Sequence, residues 1–533
     1  MAANGFWSEL RQELARLWPA SPEPPAPGLY TYPIALDGGQ RRVHLRVEED
    51  GNGILFIDVT EVIHLNTTAV EMAKLSLDGV PQERAKGMLM RRFNRVDKAR
   101  LARELADVYT MVGRLKDNGD GCPTCAIAEQ VTFNPIFSTP VQAPYKADVA
   151  LTYGCNNACP HCYNEPDRFT MSSLSLDDWF RVFDKLAAIG IPHIILTGGE
   201  PTLHPDLPAI IRYADDLGLI VGMNTNGRRL SHAPTMEALA EAGLNHVQIT
   251  LETCRAENHD AMVGAPGAFA QTVRGIKNAL ASGVHTITNS TLTRRNVQDA
   301  VAIVEFLHGL GLRTFAMNGM IYAGGGFDDP DAIPAEAMAA TLVAVRDRAE
   351  ALDMRFLWYT VTDYCRLSPL ELGLAPKRCN AAEYSICIEP NGDVLPCQSY
   401  YVAGGNLLDD PWDTIWNSSL FLSFRDRETD PLAAGLPEAC WDCPDLEMCG
   451  GGCRLEREAR VGQRAAEHGC ARARVRPASV ASSGAPLSIP PSGGEASVSV
   501  TPVGGEGKRG RAIGFTPPAG ATSAVTRATG HPR

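Results

Sequence analysis

The sequence lacks the features that would place the chain in a membrane or export it. No apolar run approaches the roughly 20 residues needed to span a bilayer. Residues 1–17 carry mixed charges and Trp7, so the cationic start and apolar centre of a signal peptide are missing. We therefore expect a cytoplasmic protein with no membrane partner.

Positive charge is also scarce. The 49 lysines and arginines are outnumbered by 62 aspartates and glutamates, which gives a formal net charge of −13. A nucleic-acid-binding protein normally presents a basic surface, so this balance argues against a nucleic-acid partner.

Length and local composition divide the chain into several parts. At 533 residues it exceeds the size of one ordinary domain. The pattern predicts six consecutive segments: an N-terminal helix with a Pro-rich linker (1–29), a small domain (30–118), a linker (119–146), a strand–helix domain (147–365), a Cys- and Gly-rich domain (366–470) and a disordered tail (471–533).

The strand–helix domain predicts an α/β fold. Its first apolar strand is residues 147–152, and six strand–helix alternations run to about residue 318. Such a rhythm is typical of a parallel sheet or partial barrel. In barrels of this kind the chemistry lies at the carboxyl ends of the strands, which is where the motifs below fall.

The 15 cysteines are clustered, which in a reducing compartment indicates metal or redox chemistry. Cys155, Cys159 and Cys162 directly follow the first strand of the barrel. Three thiolates can hold a [4Fe–4S] cluster and leave one iron open for a chelating substrate. The alternative at this stage is a zinc site with His161 as the fourth ligand.

A glycine-rich turn ends the second strand of the barrel, at Gly198, Gly199, Glu200 and Pro201. Glycines let a backbone approach a ligand closely, and Glu200 offers an acceptor to an ammonium group. Together with the cysteine loop, this turn resembles the radical S-adenosylmethionine (SAM) superfamily. The resemblance implies a partial (β/α)6 barrel, with these four residues contacting SAM and the cluster cleaving it to a 5′-deoxyadenosyl radical.

By the same resemblance, polar residues at later strand ends are expected to contact the ribose or carboxylate of SAM. They are Asn224, Thr250, Glu252 and Asn289. Ordinary hydrogen bonds at strand ends are the alternative for each of them.

A second array of cysteines occupies the last third of the chain. Its spacing is Cys379-x12-Gly392-x4-Cys397, then Cys440-x2-Cys443-x5-Cys449-x3-Cys453-x16-Cys470. This closely resembles the SPASM extension of radical SAM peptide-modifying enzymes, which carries two auxiliary [4Fe–4S] clusters. The alternative is a pair of structural zinc knots.

The resemblance implies a ligand set for each auxiliary cluster. The first set is Cys379, Cys397, Cys453 and, as a fourth ligand, Cys387. The second set is Cys440, Cys443, Cys449 and Cys470. Two alternatives concern the fourth position of the first set: Cys365 in place of Cys387, or an open site for substrate.

The small domain resembles the PqqD-like peptide chaperone of pyrroloquinoline quinone biosynthesis, also called the RiPP recognition element. The resemblance rests on residues 63–69 and 77–80. It implies a winged-helix-like α+β domain that binds a leader peptide as an added strand. A generic winged-helix scaffold is the alternative, and the basic stretch at Arg91, Arg92 and Arg95 either contacts an acidic leader or faces solvent.

These resemblances imply a radical SAM peptide maturase. It would form a C–C or thioether cross-link in a precursor peptide, or epimerise a residue, with a flavodoxin or ferredoxin as the electron donor. The alternative is a SPASM enzyme that acts on a small molecule or a tetrapyrrole precursor. Cys122 and Cys125 form a CxxC pair that is either redox-active or half of a metal site, and Cys254 and Cys365 are candidate hydrogen donors.

Overall fold

The computed structural model describes residues 23–36, 39–58, 61–93, 97–115, 132–133, 141–461 and 498–500. The predictions for the N-terminal helix, the pair Cys122 and Cys125, Arg95, Cys470 and most of the tail lie outside the described residues. Within the described ranges, no helix is both long and apolar enough to cross a bilayer.

The first described residues form a four-stranded antiparallel sheet followed by three helices. The strands lie in chain order: β1 (Gly28–Leu36), β2 (Gly39–Val47), β3 (Gly53–Ile57) and β4 (Glu61–Leu65). The helices are α1 (Thr67–Leu77), α2 (Gln82–Arg92) and α3 (Lys98–Arg114). Helix α1 begins where the Asn66 side chain accepts a hydrogen bond from the backbone N–H of Ala69, at 2.9 Å.

Both faces of this N-terminal sheet are apolar, because successive residues of a strand point to opposite sides. Leu55 on one face packs against the domain's own helices. Phe56 and Val62 on the other face pack against Tyr145, which precedes the barrel. The sheet therefore covers part of the barrel, and its removal would expose apolar surface.

His44 fixes the N-terminal sheet to the barrel. Its Nε2 lies 2.8 Å from the carbonyl oxygen of Gly218, and the neighbouring Arg42 forms an ion pair with Asp215 at 2.8 Å. Burial lowers the pKa of His44 from 6.5 to about 4. The ring is therefore neutral at physiological pH.

Acidification is expected to weaken the fold between pH 6.5 and pH 4 through His44. In this window the unfolded chain binds the proton and the folded chain does not, so the free energy of unfolding falls as the pH falls. The loss should be roughly 1.4 kcal/mol per pH unit for this one histidine. Urea unfolding at pH 7.5 and pH 5.5 measures it, and His44→Gln should reduce the pH dependence; equal dependence in both proteins would contradict the prediction.

The barrel consists of six parallel strands that alternate with helices. The strands are β6 (Lys146–Thr152), β7 (His193–Gly198), β8 (Ile220–Thr225), β9 (His246–Thr250), β10 (His285–Thr291) and β11 (Thr314–Asn318). The helices are α4 (Leu176–Ile189), α5 (Leu207–Asp216), α6 (Ala233–Glu241), α7 (Ala256–Val263), α8 (Ala268–Ala281) and α9 (Ala300–Gly309). The predicted α/β class with a parallel sheet is confirmed.

The sheet continues beyond the six strands at both edges. Strand β12 (Arg355–Trp358) follows helix α10 (Ala339–Ala351) and pairs in parallel with β11. At the other edge, β13 (Ser385–Ile388) pairs in parallel with β6 and antiparallel with β14 (Val394–Leu395). The Cys-rich region thus contributes strands to the barrel sheet.

Short helices complete the Cys-rich region: α11 (Trp412–Trp416), α12 (Ser419–Arg425), α13 (Glu438–Trp441), α14 (Leu446–Cys449) and α15 (Arg454–Val461). Far along the chain, β15 (Val498–Val500) lies parallel to β4 and antiparallel to β5 (Thr132–Phe133).

Candidate active site

The cysteine loop and the glycine turn contact each other through their backbones. The loop follows β6 and the turn follows the neighbouring strand β7. The backbone N–H of Gly199 donates to the carbonyl oxygen of Thr152 at 2.7 Å, and that of Glu200 donates to Gly154 at 2.9 Å. A Cβ on Gly199 would lie only 2.4 Å from the carbonyl oxygen of Tyr153, so no larger residue fits there.

Replacing Gly199 by alanine is expected to displace the cysteine loop. The new methyl group would collide with backbone atoms that cannot move aside, and such overpacking costs roughly 1–3 kcal/mol. Because the displaced loop holds the cluster that binds SAM, we expect roughly tenfold weaker SAM binding and a lower iron content. Equilibrium binding and iron analysis measure both effects. Gly309→Ala is the matched control, since its Cβ meets nothing within 4 Å. The same loss in both variants would contradict the prediction.

Glu200 is fully buried and its carboxylate is held by neutral donors. It accepts from the backbone N–H of Thr202 at 3.1 Å, from the hydroxyl of Thr225 at 2.6 Å and from the backbone N–H of Asn226 at 2.8 Å. Burial raises the pKa of Glu200, and these hydrogen bonds oppose that rise. A buried carboxylate held only by neutral donors suits the ammonium group of SAM.

Residues that follow β8 hold the cysteine loop, and one of them, Asn226, also donates its backbone N–H to Glu200. Asn226 Nδ2 donates to Asn156 Oδ1 at 2.6 Å, and Arg228 Nη1 donates to Asn157 Oδ1 at 2.9 Å. Both acceptors lie between Cys155 and Cys159. Asn226 belongs to the strand end that the sequence pattern predicted for the site, whereas Arg228, two residues further along, was not predicted.

Three of the other predicted SAM contacts, Asn224, Thr250 and Asn289, lie at strand ends. Asn224 and Thr250 are half-buried at the ends of β8 and β9. Asn289, paired in register with Thr250, donates from Nδ2 to Asn318 Oδ1 at 2.7 Å. Its own Oδ1 is buried and has no hydrogen-bond partner within the described residues, which makes it a suitable acceptor for a ribose hydroxyl.

Glu252 is instead engaged by the protein. One carboxylate oxygen lies 3.2 Å from His161 Nε2, and the other accepts from the backbone N–H of Thr291 at 2.8 Å. Burial alone would lower the pKa of His161, but the hydrogen bond and charge of Glu252 raise it overall. These contacts favour the structural role for Glu252 over a contact with SAM.

Cys155, Cys159 and Cys162 are free thiols brought close together by the loop. Burial raises the pKa of Cys155 to about 11. Iron–sulfur ligands are thiolates, so loading a cluster here would release protons. The donor set, three thiols beside a close-packed glycine turn, fits a cluster with one open iron.

Three cysteines of the first auxiliary set lie near enough to one another to interact electrostatically. Burial raises the pKa values of Cys397 and Cys453 to about 12, and the nearby charge of Cys379 adds to both rises. Cys387 on β13 is 1% exposed and packs against Tyr153. Burial raises the pKa of its thiol, and the nearby charge of Cys397, a member of the first set, adds to that rise. Cys387 thus lies beside this set, on the side of the cysteine loop.

Three cysteines of the second auxiliary set line one small, partly open pocket. Cys440, Cys443 and Cys449 line it together with Cys365 and Asp363. Cys365 lines this pocket and is disulfide-bonded in the structure, so it offers no free thiol to the first set or for hydrogen donation. The predicted ligand Cys470 lies outside the described residues.

Two family models match the chain at the sites just described. The radical SAM superfamily model matches residues 149–307, and an iron–sulfur cluster-binding domain model, SPASM, matches residues 379–444. A PqqA peptide cyclase from Methylocella silvestris is 31% identical over 322 residues, which cover 58% of this chain and 83% of that protein. The chain belongs to the radical SAM superfamily. It is an enzyme that uses [4Fe–4S] clusters and SAM.

Two further similarities extend this assignment. An AdoMet-dependent heme synthase from Methanosarcina barkeri is 28% identical over 58% of this chain and 91% of that protein. The crystal structure of Streptococcus suis SuiB bound to its precursor peptide SuiA has a TM-score of 0.56 and 17% identity, over 77% of this chain and 94% of SuiB. At that identity the likeness concerns the fold alone. Both family matches begin after residue 148, so the PqqD-like assignment of residues 30–118 remains a prediction.

Proposed function

We propose that this radical SAM enzyme modifies a ribosomally made precursor peptide, by a C–C or thioether cross-link or by epimerisation. One observation carries the proposal: the N-terminal sheet is joined to the barrel and has an outer edge that takes an additional strand. The similarity to a peptide cyclase supports the same substrate class.

The leader peptide would bind along the outer edge of β4. Residues 498–500 of this chain lie along that edge, with Ser499 opposite His64 and Val500 opposite Leu65. Strand addition depends mainly on main-chain hydrogen bonds and therefore tolerates different sequences. We propose that a leader replaces residues 498–500 and directs the core peptide to the barrel.

Within the barrel, the chain's own residues bind and orient the reactants. The cluster of the cysteine loop supplies the electron that cleaves SAM, and we propose a flavodoxin or ferredoxin as its cytoplasmic reductant. Glu200 would accept from the ammonium group, and Asn289 Oδ1 from a ribose hydroxyl. Enclosure by the strands excludes water from a reactive intermediate.

The similarity to a heme synthase keeps one alternative, a tetrapyrrole or other small-molecule substrate. In that case the N-terminal sheet would serve only to cover the barrel. The two functions differ in whether the enzyme changes a peptide at all.

Anaerobic co-expression with a short peptide encoded beside the gene tests the proposal. Peptide masses are compared between the wild-type enzyme and Cys159→Ala. A loss of two hydrogens that requires Cys159 indicates a cross-link, and deuterium gained from solvent without other change indicates epimerisation. An unchanged peptide beside an enzyme that still cleaves SAM would overturn the peptide substrate in favour of the small molecule.

A further inference from the structure

A side chain of the Cys-rich region reaches the end of the cysteine loop. The Tyr401 hydroxyl lies 3.0 Å from Asn164 Oδ1 and 3.3 Å from the carbonyl oxygen of Tyr163, and it can donate its proton to either acceptor. Both acceptors directly follow Cys162, the last cysteine of the loop. Tyr401 lies 238 residues beyond Tyr163 in the sequence, so only folding brings the two together.

Asn164 connects Tyr401 to the glycine turn. It is 4% exposed, and its Nδ2 donates to the carbonyl oxygen of Gly198 at 3.3 Å. A carbonyl oxygen only accepts, so the amide nitrogen of Asn164 faces Gly198 and the amide oxygen faces Tyr401. The Tyr401 hydroxyl supplies the donor that this oxygen needs, because a buried acceptor without a partner is costly. The end of the cysteine loop is thereby held against the start of the glycine turn.

A buried ion pair holds Tyr401 in place. Arg168 donates from Nη1 to both carboxylate oxygens of Glu389, at 2.9 and 3.0 Å, and from Nη2 to the carbonyl oxygen of Tyr401 at 3.3 Å. The guanidinium group also lies over the Tyr401 ring, 4.9 Å from its centre. These contacts use the backbone and the ring of Tyr401, so they do not depend on its hydroxyl.

The carboxylate of Glu389 also contacts the residue that precedes the cysteine loop. Glu389 is 1% exposed and accepts from the Tyr153 hydroxyl at 3.0 Å. The carbonyl oxygen of Tyr153 is the atom that leaves no space for a side chain at Gly199. Both ends of the cysteine loop are therefore joined to the Cys-rich region, one through Glu389 and the other through Tyr401.

We propose that Tyr401 is a positioning residue for SAM: through Asn164 it keeps the cysteine loop and the glycine turn in the relative position that SAM binding requires. The loop holds the cluster and the turn contains Glu200, so a ligand that contacts both is sensitive to their separation. SAM binding then depends on the Cys-rich region as well as on the barrel. This role concerns the cofactor and is independent of the proposed peptide substrate.

Tyr401→Phe tests the proposal, because it removes the hydroxyl and keeps the ring and backbone contacts with Arg168. Equilibrium binding to the holoenzyme should show roughly fivefold weaker SAM binding at unchanged iron content. At saturating SAM, the rate of 5′-deoxyadenosine formation with dithionite should stay within about twofold of the parent rate. A raised KM for SAM with little change in kcat distinguishes positioning from a general loss of structure.

Tyr400→Phe is the matched control, because it removes a hydroxyl from the neighbouring residue. The Tyr400 ring packs edge-to-face on Phe424 with ring centres 5.1 Å apart, and its hydroxyl hydrogen-bonds with Glu458. This variant should bind SAM with the affinity of the parent. Equal SAM affinity in Tyr401→Phe and Tyr400→Phe would overturn the proposal.

A double variant tests whether Tyr401 acts through Asn164. Asn164→Ala should weaken SAM binding by roughly tenfold, because it removes both the acceptor for Tyr401 and the donor to Gly198. Adding Tyr401→Phe should then change the affinity by less than about twofold. If the two losses multiply instead, Tyr401 acts independently of Asn164 and the proposed route is wrong. All these measurements are made without peptide, so their outcome is separate from the mass analysis that tests the proposed function.

Discussion

Replacement of Cys159 by alanine is expected to abolish SAM cleavage, by at least about 1,000-fold. The two remaining thiols of the loop cannot hold the cluster, and without its electron SAM stays intact. The loop itself should keep its shape, because Ala158 N–H donates to the carbonyl oxygen of Val263 at 2.9 Å. The outcome is measured as the rate of 5′-deoxyadenosine formation with dithionite as the reductant. The iron content of the variant should fall by the iron of one cluster.

Cys254→Ala is the control for that experiment. Cys254 is half-buried after β9 and lies outside the three cysteine sets. Its loss should leave iron content and peptide-independent SAM cleavage unchanged. If Cys159→Ala still produced 5′-deoxyadenosine at the parent rate, the assignment of this loop to the cleaving cluster would be wrong.

Removal of the leader from the substrate peptide is expected to slow its modification by roughly 100-fold. A leader bound at β4 makes delivery of the core peptide intramolecular and raises its effective concentration at the barrel. SAM cleavage in the absence of peptide should not change. Mass analysis of matched full-length and leaderless peptides at equal concentration measures the difference.

The leader is removed from the substrate because the N-terminal sheet cannot be deleted cleanly. Phe56 and Val62 pack against Tyr145, and loss of residues 1–118 would expose that surface. Supplying the leader as a separate peptide should restore only part of the rate, whereas a scrambled leader should restore none. Equal rates with and without the leader would contradict the proposed docking.

The sequence by itself determined the superfamily, the cofactors and the fold class. The cysteine loop and the GGEP turn are short, and their chemistry depends on spacing along the chain. The strand–helix alternation is likewise local, since each element needs only its own pattern of apolar residues. The ordered spacing from Cys379 to Cys470 predicted the auxiliary cysteine sets, and Cys440, Cys443 and Cys449 of the second set line one pocket.

Only the tertiary structure decided how these parts combine. It placed Cys365 in the pocket of the second set and Cys387 against Tyr153, and it engaged Glu252 with His161. These contacts join residues far apart in sequence, or depend on which face of a strand a side chain occupies. Neither is fixed by spacing along the chain.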